Sequence, residues 1–265
     1  MKYRIFLIVS VAMTLLYALL IWLDIIDVEG QFGGIGYHLI VIAVLVFSCS
    51  RAFADAFKHG NGAAGRAGAA SPTGEDNTAI HNYHGLIFLT ATLGLVTITV
   101  FEIFSFAYIY LWEGSLSDIT IGNYTRDCAY LFFIAALSIP FSGIFRKVLG
   151  IVSAFAAVFA LCSVVIAERW FMFSSSAVLM LLCLFCAAAS WYHSLKNPGL
   201  KQTGAFACAV IAICLLEIAK FLLIRLFSVE VLYGMVISLY PAIYLLLGMT
   251  LVSLPARKPD GEEVC

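Results

Sequence analysis

An all-α integral membrane protein, an eight-span transmembrane helix bundle with both termini on the cytoplasmic side, is the fold class this sequence predicts. Three observations predict it. Hydrophobic residues make up 63% of the 265 residues and charged residues only 12%, against about 45–50% and about 25% in a soluble domain. So little charge cannot cover a surface exposed to water. The apolar residues also gather in runs of about 20, the length that crosses a hydrocarbon core about 30 Å thick. Finally, basic residues fall on alternate connections between those runs, as the positive-inside rule requires of a multispan chain. Eight spans and their connections use nearly the whole length, so residues 1–265 read as a single membrane domain.

The first span, 5–23, is longer than a signal-peptide core and no small-residue cleavage site follows it, so it reads as retained. An acidic loop with Asp24, Asp27 and Glu29 leads through a run of glycines to a short second span at 37–50. Residues 51–82 come next, and their Gly- and Ala-rich centre reads as a flexible cytoplasmic loop. The third span is 85–111, and the polar stretch 112–127 separates it from the fourth, 128–145. Arg146 and Lys147 close the fourth, and the fifth is 148–167. Glu168 and Arg169 form a tight turn into the sixth, 170–192. A connection from His193 to Lys201, with Pro198 and Gly199 inside it, leads to the seventh, 204–227. The eighth is 231–254, and 255–265 is a short cytoplasmic tail.

Orientation follows from Lys and Arg. One side of the bundle receives Lys2, Arg4, Arg51, Lys58, Arg66, Arg146, Lys147, Lys196, Lys201, Arg257 and Lys258, which is 11 of the 15 basic residues. That side is the cytoplasm. Arg126 and Arg169 fall outside, together with most of the acids between spans. The expected location is the cell membrane, with lipid as the main partner. No basic stripe exists that could bind nucleic acid. The cysteines lie mostly within apolar runs. Cys183 and Cys186 have CxxC spacing but sit mid-span, without the turn and cationic surroundings of a reactive thiol, and read as small packing residues.

A charged side chain at the centre of a span costs about 2.5–3.5 kcal/mol on insertion scales, so charge inside the membrane points to function. Glu102 on the third span, and Glu217 and Lys220 on the seventh, are such residues. At about 1.5 Å per residue, Glu102 and Lys220 fall at similar depth in the outer half, with Glu217 nearer the middle. Glu217 and Lys220 are three apart and share a helix face. The expectation is a cluster of Glu102, Glu217 and Lys220 that binds a solute or an ion. A packing ion pair is the competing reading. Thr92 and Thr99 stack on the Glu102 face, and Tyr233, Tyr240 and Tyr244 form one stripe on the eighth span beside Pro241, which is expected to kink the helix. Thr99, Tyr240 and Tyr244 therefore join the candidate site. The pattern Glu-Ile-x-x-Phe occurs at Glu102 and again at Glu217. This echo fits two four-span halves with a site near their interface.

His81 and His84 at the cytoplasmic mouth of the third span, and His193 ending the sixth, lie at one level. They are weak metal candidates, since no cysteine or carboxylate accompanies them, and no metal or other cofactor is expected. The chain has no HExxH and no GxSxG. A carrier of a small solute or ion, or a membrane subunit of one, is the function the charged residues favour. In it Glu102 and Glu217 bind a cation or proton, and Lys220 neutralises them in the unloaded state. The layout resembles the multispan input modules that precede kinase, cyclase or DNA-binding outputs in bacterial regulators. That resemblance implies a sensor or scaffold; with no output domain after residue 254 in this sequence, it would need either a cytoplasmic partner protein docked on 51–82 or a longer chain of which this is a part. A membrane-embedded enzyme is the third reading.

Overall fold

A computed structural model of the protein describes residues 31–66, 75–111, 120–141, 143–166, 169–222 and 239–253, with six isolated positions between 8 and 20. These residues form α1 (Gln31–Arg66), α2 (Glu75–Tyr110), α3 (Thr120–Ser138), α4 (Gly143–Ile166), α5 (Arg169–Lys196), α6 (Lys201–Leu222) and α7 (Tyr240–Ser253). A single 3-10 turn, Pro198–Leu200, joins α5 to α6, and no strand occurs among the described residues. Most of the expected first span, the acidic loop after it, Tyr233 and the tail 255–265 lie outside the described residues.

Leu86–Tyr108 of α2, Ser176–Lys196 of α5 and Lys201–Lys220 of α6 are long and apolar enough to cross a membrane. His38–Ala52 of α1 and Tyr240–Leu251 of α7 are shorter apolar helices. On α2, Ile87, Phe88, Ala91, Leu95 and Ile98 are buried, whereas Leu86, Leu89, Leu93, Val100 and Ile103 are exposed. A helix that is apolar on every face offers nothing to water, and its outer stripe suits lipid.

Both ends of α3 and the stretch 51–82 differ from the sequence reading. Pro140 was expected within the fourth span, but α3 ends at Ser138, and Pro140 stands in a turn closed by the N–H of Phe141 donating to the carbonyl of Ser138 at 3.1 Å. Proline has no N–H to continue the ladder and its ring clashes with the preceding turn, so the helix stops there. α3 instead reaches back to Thr120, which makes Arg126 and Asp127 helical rather than loop residues. The stretch 51–82, expected as a flexible loop, is helical over 51–66 and 75–82. The helix that contains the buried Val41, Val44, Leu45 and Ala52 continues without a break to Arg66.

Six helices close a ring in the order α1, α2, α3, α5, α6, α7, with α7 returning to α1. Across the ring α2 also touches α7, and α3 touches α6, so the ring is flattened and its middle filled. α4 lies outside, against α5 and α3. Phe133 of α3 and Phe206 of α6, both fully buried, meet edge to face with ring centroids 6.0 Å apart. Two glycines set how closely the helices approach. A Cβ on Gly94 of α2 would lie 2.5 Å from the Phe133 ring, and one on Gly248 of α7 would run into Oγ and Cβ of Ser48 on α1. Small residues at crossings give membrane helices the van der Waals contact that lipid does not supply as a hydrophobic drive.

Candidate functional site

α7 presents Tyr240 and Tyr244 one turn apart, with ring centroids 5.6 Å apart. Each hydroxyl reaches a carboxylate on a different helix. Tyr240 Oη donates to Glu217 Oε1 of α6 at 2.6 Å. Tyr244 Oη donates to Glu102 Oε1 of α2 at 3.4 Å. Helical spacing of four residues on α7 thus becomes a bridge between the two acids.

The second oxygen of each acid meets a different kind of partner. Glu217 Oε2 faces Nη1 of Arg126 on α3 at 3.3 Å and Nζ of Lys220 at 3.9 Å. The Lys220 ammonium also lies 5.6 Å from the centre of the Tyr240 ring, within reach of a cation–π attraction. Glu102 Oε2 faces Nδ1 of His38 on α1 at 3.5 Å. The His38 ring meets Tyr110 edge-on at 5.8 Å and leans on Phe106 at 6.4 Å, so residues one and two turns beyond Glu102 orient its partner.

Glu102 is only 6% exposed. One turn further along α2, the hydroxyl of Ser105 is buried with no hydrogen-bond partner among the described residues. One turn back, Thr99 donates to the carbonyl of Leu95 at 2.8 Å and lies 3.3 Å from Cys49 Sγ on α1. Beside Arg126, Asp127 turns to α5, where Ser176 Oγ donates to its Oδ2 at 2.8 Å.

Of the residues expected from sequence, Glu217, Lys220 and Tyr240 form one group, and Glu102 and Tyr244 a second, joined through the tyrosines. Lys220 makes its ion pair with Glu217, while Glu102 faces the imidazole of His38. Thr99 lies on the Glu102 side, against α1. The side chains of His81 and His84 lie outside the described residues. His193 has Nε2 at 3.3 Å from the Asn197 amide nitrogen and its ring 5.4 Å from that of Phe141. Among the described residues no three His, Cys, Asp or Glu side chains converge as metal ligands. Pro241 falls in the first turn of α7, where its missing N–H leaves no helical bond unmade; residues 231–238, which a kink would involve, lie outside the described residues.

Sequence reasoning missed Arg126 and His38. Arg126 left one signal, as a basic residue on the side otherwise given to acids, and such an outlier needs a partner. His38 stands at the edge of a span too short to be complete, and α1 begins at Gln31 and so contains it.

Glu102 and Glu217 occupy the middle helices of the two runs, α1–α3 and α5–α7, that make the ring. Three residues before each, Thr99 meets Cys49 of α1 and Cys214 meets Cys183 of α5. No protein-family model matches the chain, and neither a curated protein nor a solved structure matches it. Function is therefore read from the chain's own geometry.

Proposed function

We propose that the chain is an eight-span protein of the cell membrane, with both termini in the cytoplasm, that carries a small ion or an ion-coupled solute and takes up a cation or proton at Glu102. One observation carries this reading. Two acids are held by tyrosines of one helix, yet their counter-charges differ. Arg126 and Lys220 both stand against Glu217, and the formal charges of these two bases balance those of Glu217 and Asp127. Glu102 is left with an imidazole and a phenol, neither of which carries a fixed positive charge. An intramembrane carboxylate whose charge is balanced by something exchangeable is a mark of an ion or proton pathway. The Ser105 hydroxyl beside it, without a hydrogen-bond partner among the described residues, adds hydrogen-bonding capacity.

In this reading Glu217, Arg126 and Lys220 tie α6 to α3 throughout the cycle. Loading at Glu102 alters the charge that Tyr244 meets, and with it the hold of α7 on α2. The matching positions of Glu102 and Glu217 in α1–α3 and α5–α7 support two halves that rock about a site near their interface. The test uses purified protein in proteoliposomes under an imposed membrane potential, with uptake of Na⁺, K⁺ and protons followed separately. Glu102→Gln is expected to abolish uptake. Wild-type uptake in that variant overturns the role of Glu102, and no uptake of any of the three ions by the wild type overturns the ion carrier.

The lengths of α1 and α2 favour a second reading, a sensor or scaffold. Each helix has 36 residues, about 54 Å at about 1.5 Å per residue, against a hydrocarbon core of about 30 Å. The pair therefore reaches well past its apolar segments, and the projecting part could dock a cytoplasmic partner protein. Deleting 60–74 separates the readings. A sensor loses partner capture, whereas a carrier keeps its flux.

A further inference from the structure

The neighbours of Glu102 decide what it can load. A hard metal cation takes a shell of six or more oxygens at about 2.0–2.6 Å. Glu102 offers one carboxylate, and its closest partners are a phenol oxygen at 3.4 Å and an imidazole nitrogen at 3.5 Å. Imidazole is a poor ligand for an alkali cation. A proton needs no shell, only a lone pair to sit on and an acceptor to face. His38 supplies the first and Glu102 the second.

From this geometry we infer that the coupled ion is a proton, and that His38 and Glu102 hold it together; the inference rests on the carrier reading. An imidazole ring can hold a hydrogen on either nitrogen or on both. Proton entry forms an N–H bond on the imidazole from a proton of the water phase, and release breaks the same bond and returns the proton to water. No electron moves and no other group is transferred. With the proton in place the imidazolium draws Glu102 toward α1, closing the 3.5 Å gap toward a charge-assisted hydrogen bond of about 2.7–2.9 Å. Without it, Glu102 has no positive partner on α1 and turns to the hydroxyl of Tyr244 on α7. One proton thereby transfers the allegiance of Glu102 between two helices that are themselves in contact.

Tyrosines of two helices face this pair among the described residues. α2 contributes Tyr110 against the His38 ring, and α7 contributes Tyr244. Beyond the tyrosines stand Glu217, Arg126 and Lys220.

The experiment places the full chain in liposomes with equal Na⁺ and K⁺ on both sides and an acid interior, and an enclosed pH dye reports collapse of the gradient. Wild type is expected to collapse it, and His38→Gln and Glu102→Gln to leave it standing. Glu102→Asp keeps the carboxylate but withdraws it by one methylene, and is expected to slow collapse without abolishing it. If His38→Gln does not fold, as judged by its elution profile, Glu102→Asp and Glu102→Gln decide. Wild-type rates in either, or in folded His38→Gln, overturn the inference. Movement of Na⁺ or K⁺ with no proton movement also overturns it while leaving the carrier reading intact. No flux of any ion in the wild type overturns both.

Discussion

Replacing Arg126 with methionine removes the closest cation from Glu217. Unit charges 3.3 Å apart attract by about 5 kcal/mol at an effective dielectric of about 20, and Lys220 at 3.9 Å adds about 4 kcal/mol on the same scale. Desolvation cancels much of that attraction in the intact protein, but a one-sided deletion exposes it. Breaking a buried pair from one side costs about 3–5 kcal/mol. Lys220 and the Tyr240 hydroxyl stay in place and hold part of the orphaned charge, so Arg126→Met is expected to cost about 2–3 kcal/mol. Glu217→Gln made in that background removes the orphaned carboxylate and gives up only the Lys220 contact, so it should cost less than the same change in the wild type. The double-mutant cycle then yields a coupling of about 2 kcal/mol. Unfolding free energies in mixed micelles of increasing SDS content measure all four corners. A coupling below about 0.6 kcal/mol, the average for interhelical hydrogen bonds in a membrane protein, would show the pair to be screened and refute the reasoning.

Other outcomes follow from the same geometry. Tyr240→Phe loses a 2.6 Å bond to a carboxylate and should cost about 1.5–3 kcal/mol. Tyr244→Phe, whose bond is 3.4 Å, should cost under about 1 kcal/mol; equal losses in the same unfolding assay contradict the distances. Gly248→Ala drives a methyl group into Ser48 and should destabilise by about 1–3 kcal/mol, most of which Ser48→Gly should restore in the double variant. Gly94→Ala meets the edge of the Phe133 ring. Here Phe133→Leu should recover part of the lost thermal stability, and no recovery would mean that the helices part elsewhere.

Composition and apolar run length were enough to reveal a helical chain with segments long enough to cross a membrane, because an apolar run of about 20 residues has the length of a spanning helix, whereas a spanning strand needs only about 9–11 alternating residues. Helix ends were less legible. Hydropathy reports where a segment stops being apolar, whereas the backbone stops where its hydrogen bonds do. α3 continues eight residues before Cys128, and Pro140 ends it early. That shift hid Arg126. The acids and tyrosines were legible because helical spacing alone aligns Glu217 with Lys220 and Tyr240 with Tyr244. Which acid meets which cation was not, since it depends on the order of helices around the ring. α3 meets α6 across the ring, and α1 lies beside α2, so Glu217 meets Arg126 and Glu102 meets His38.

The close approach of Gly248 to Ser48 has a mechanical consequence for the tyrosines. It pins α7 to α1 four residues beyond Tyr244 and eight beyond Tyr240, about 6 Å and about 12 Å along the axis at about 1.5 Å per residue. Around such a fulcrum the helix is a lever with two arms in the ratio two to one. A tilt of about 10° carries Tyr240 sideways by about 2 Å and Tyr244 by about 1 Å. The shorter bond, to Glu217, therefore takes the larger excursion, and the longer bond, to Glu102, the finer adjustment.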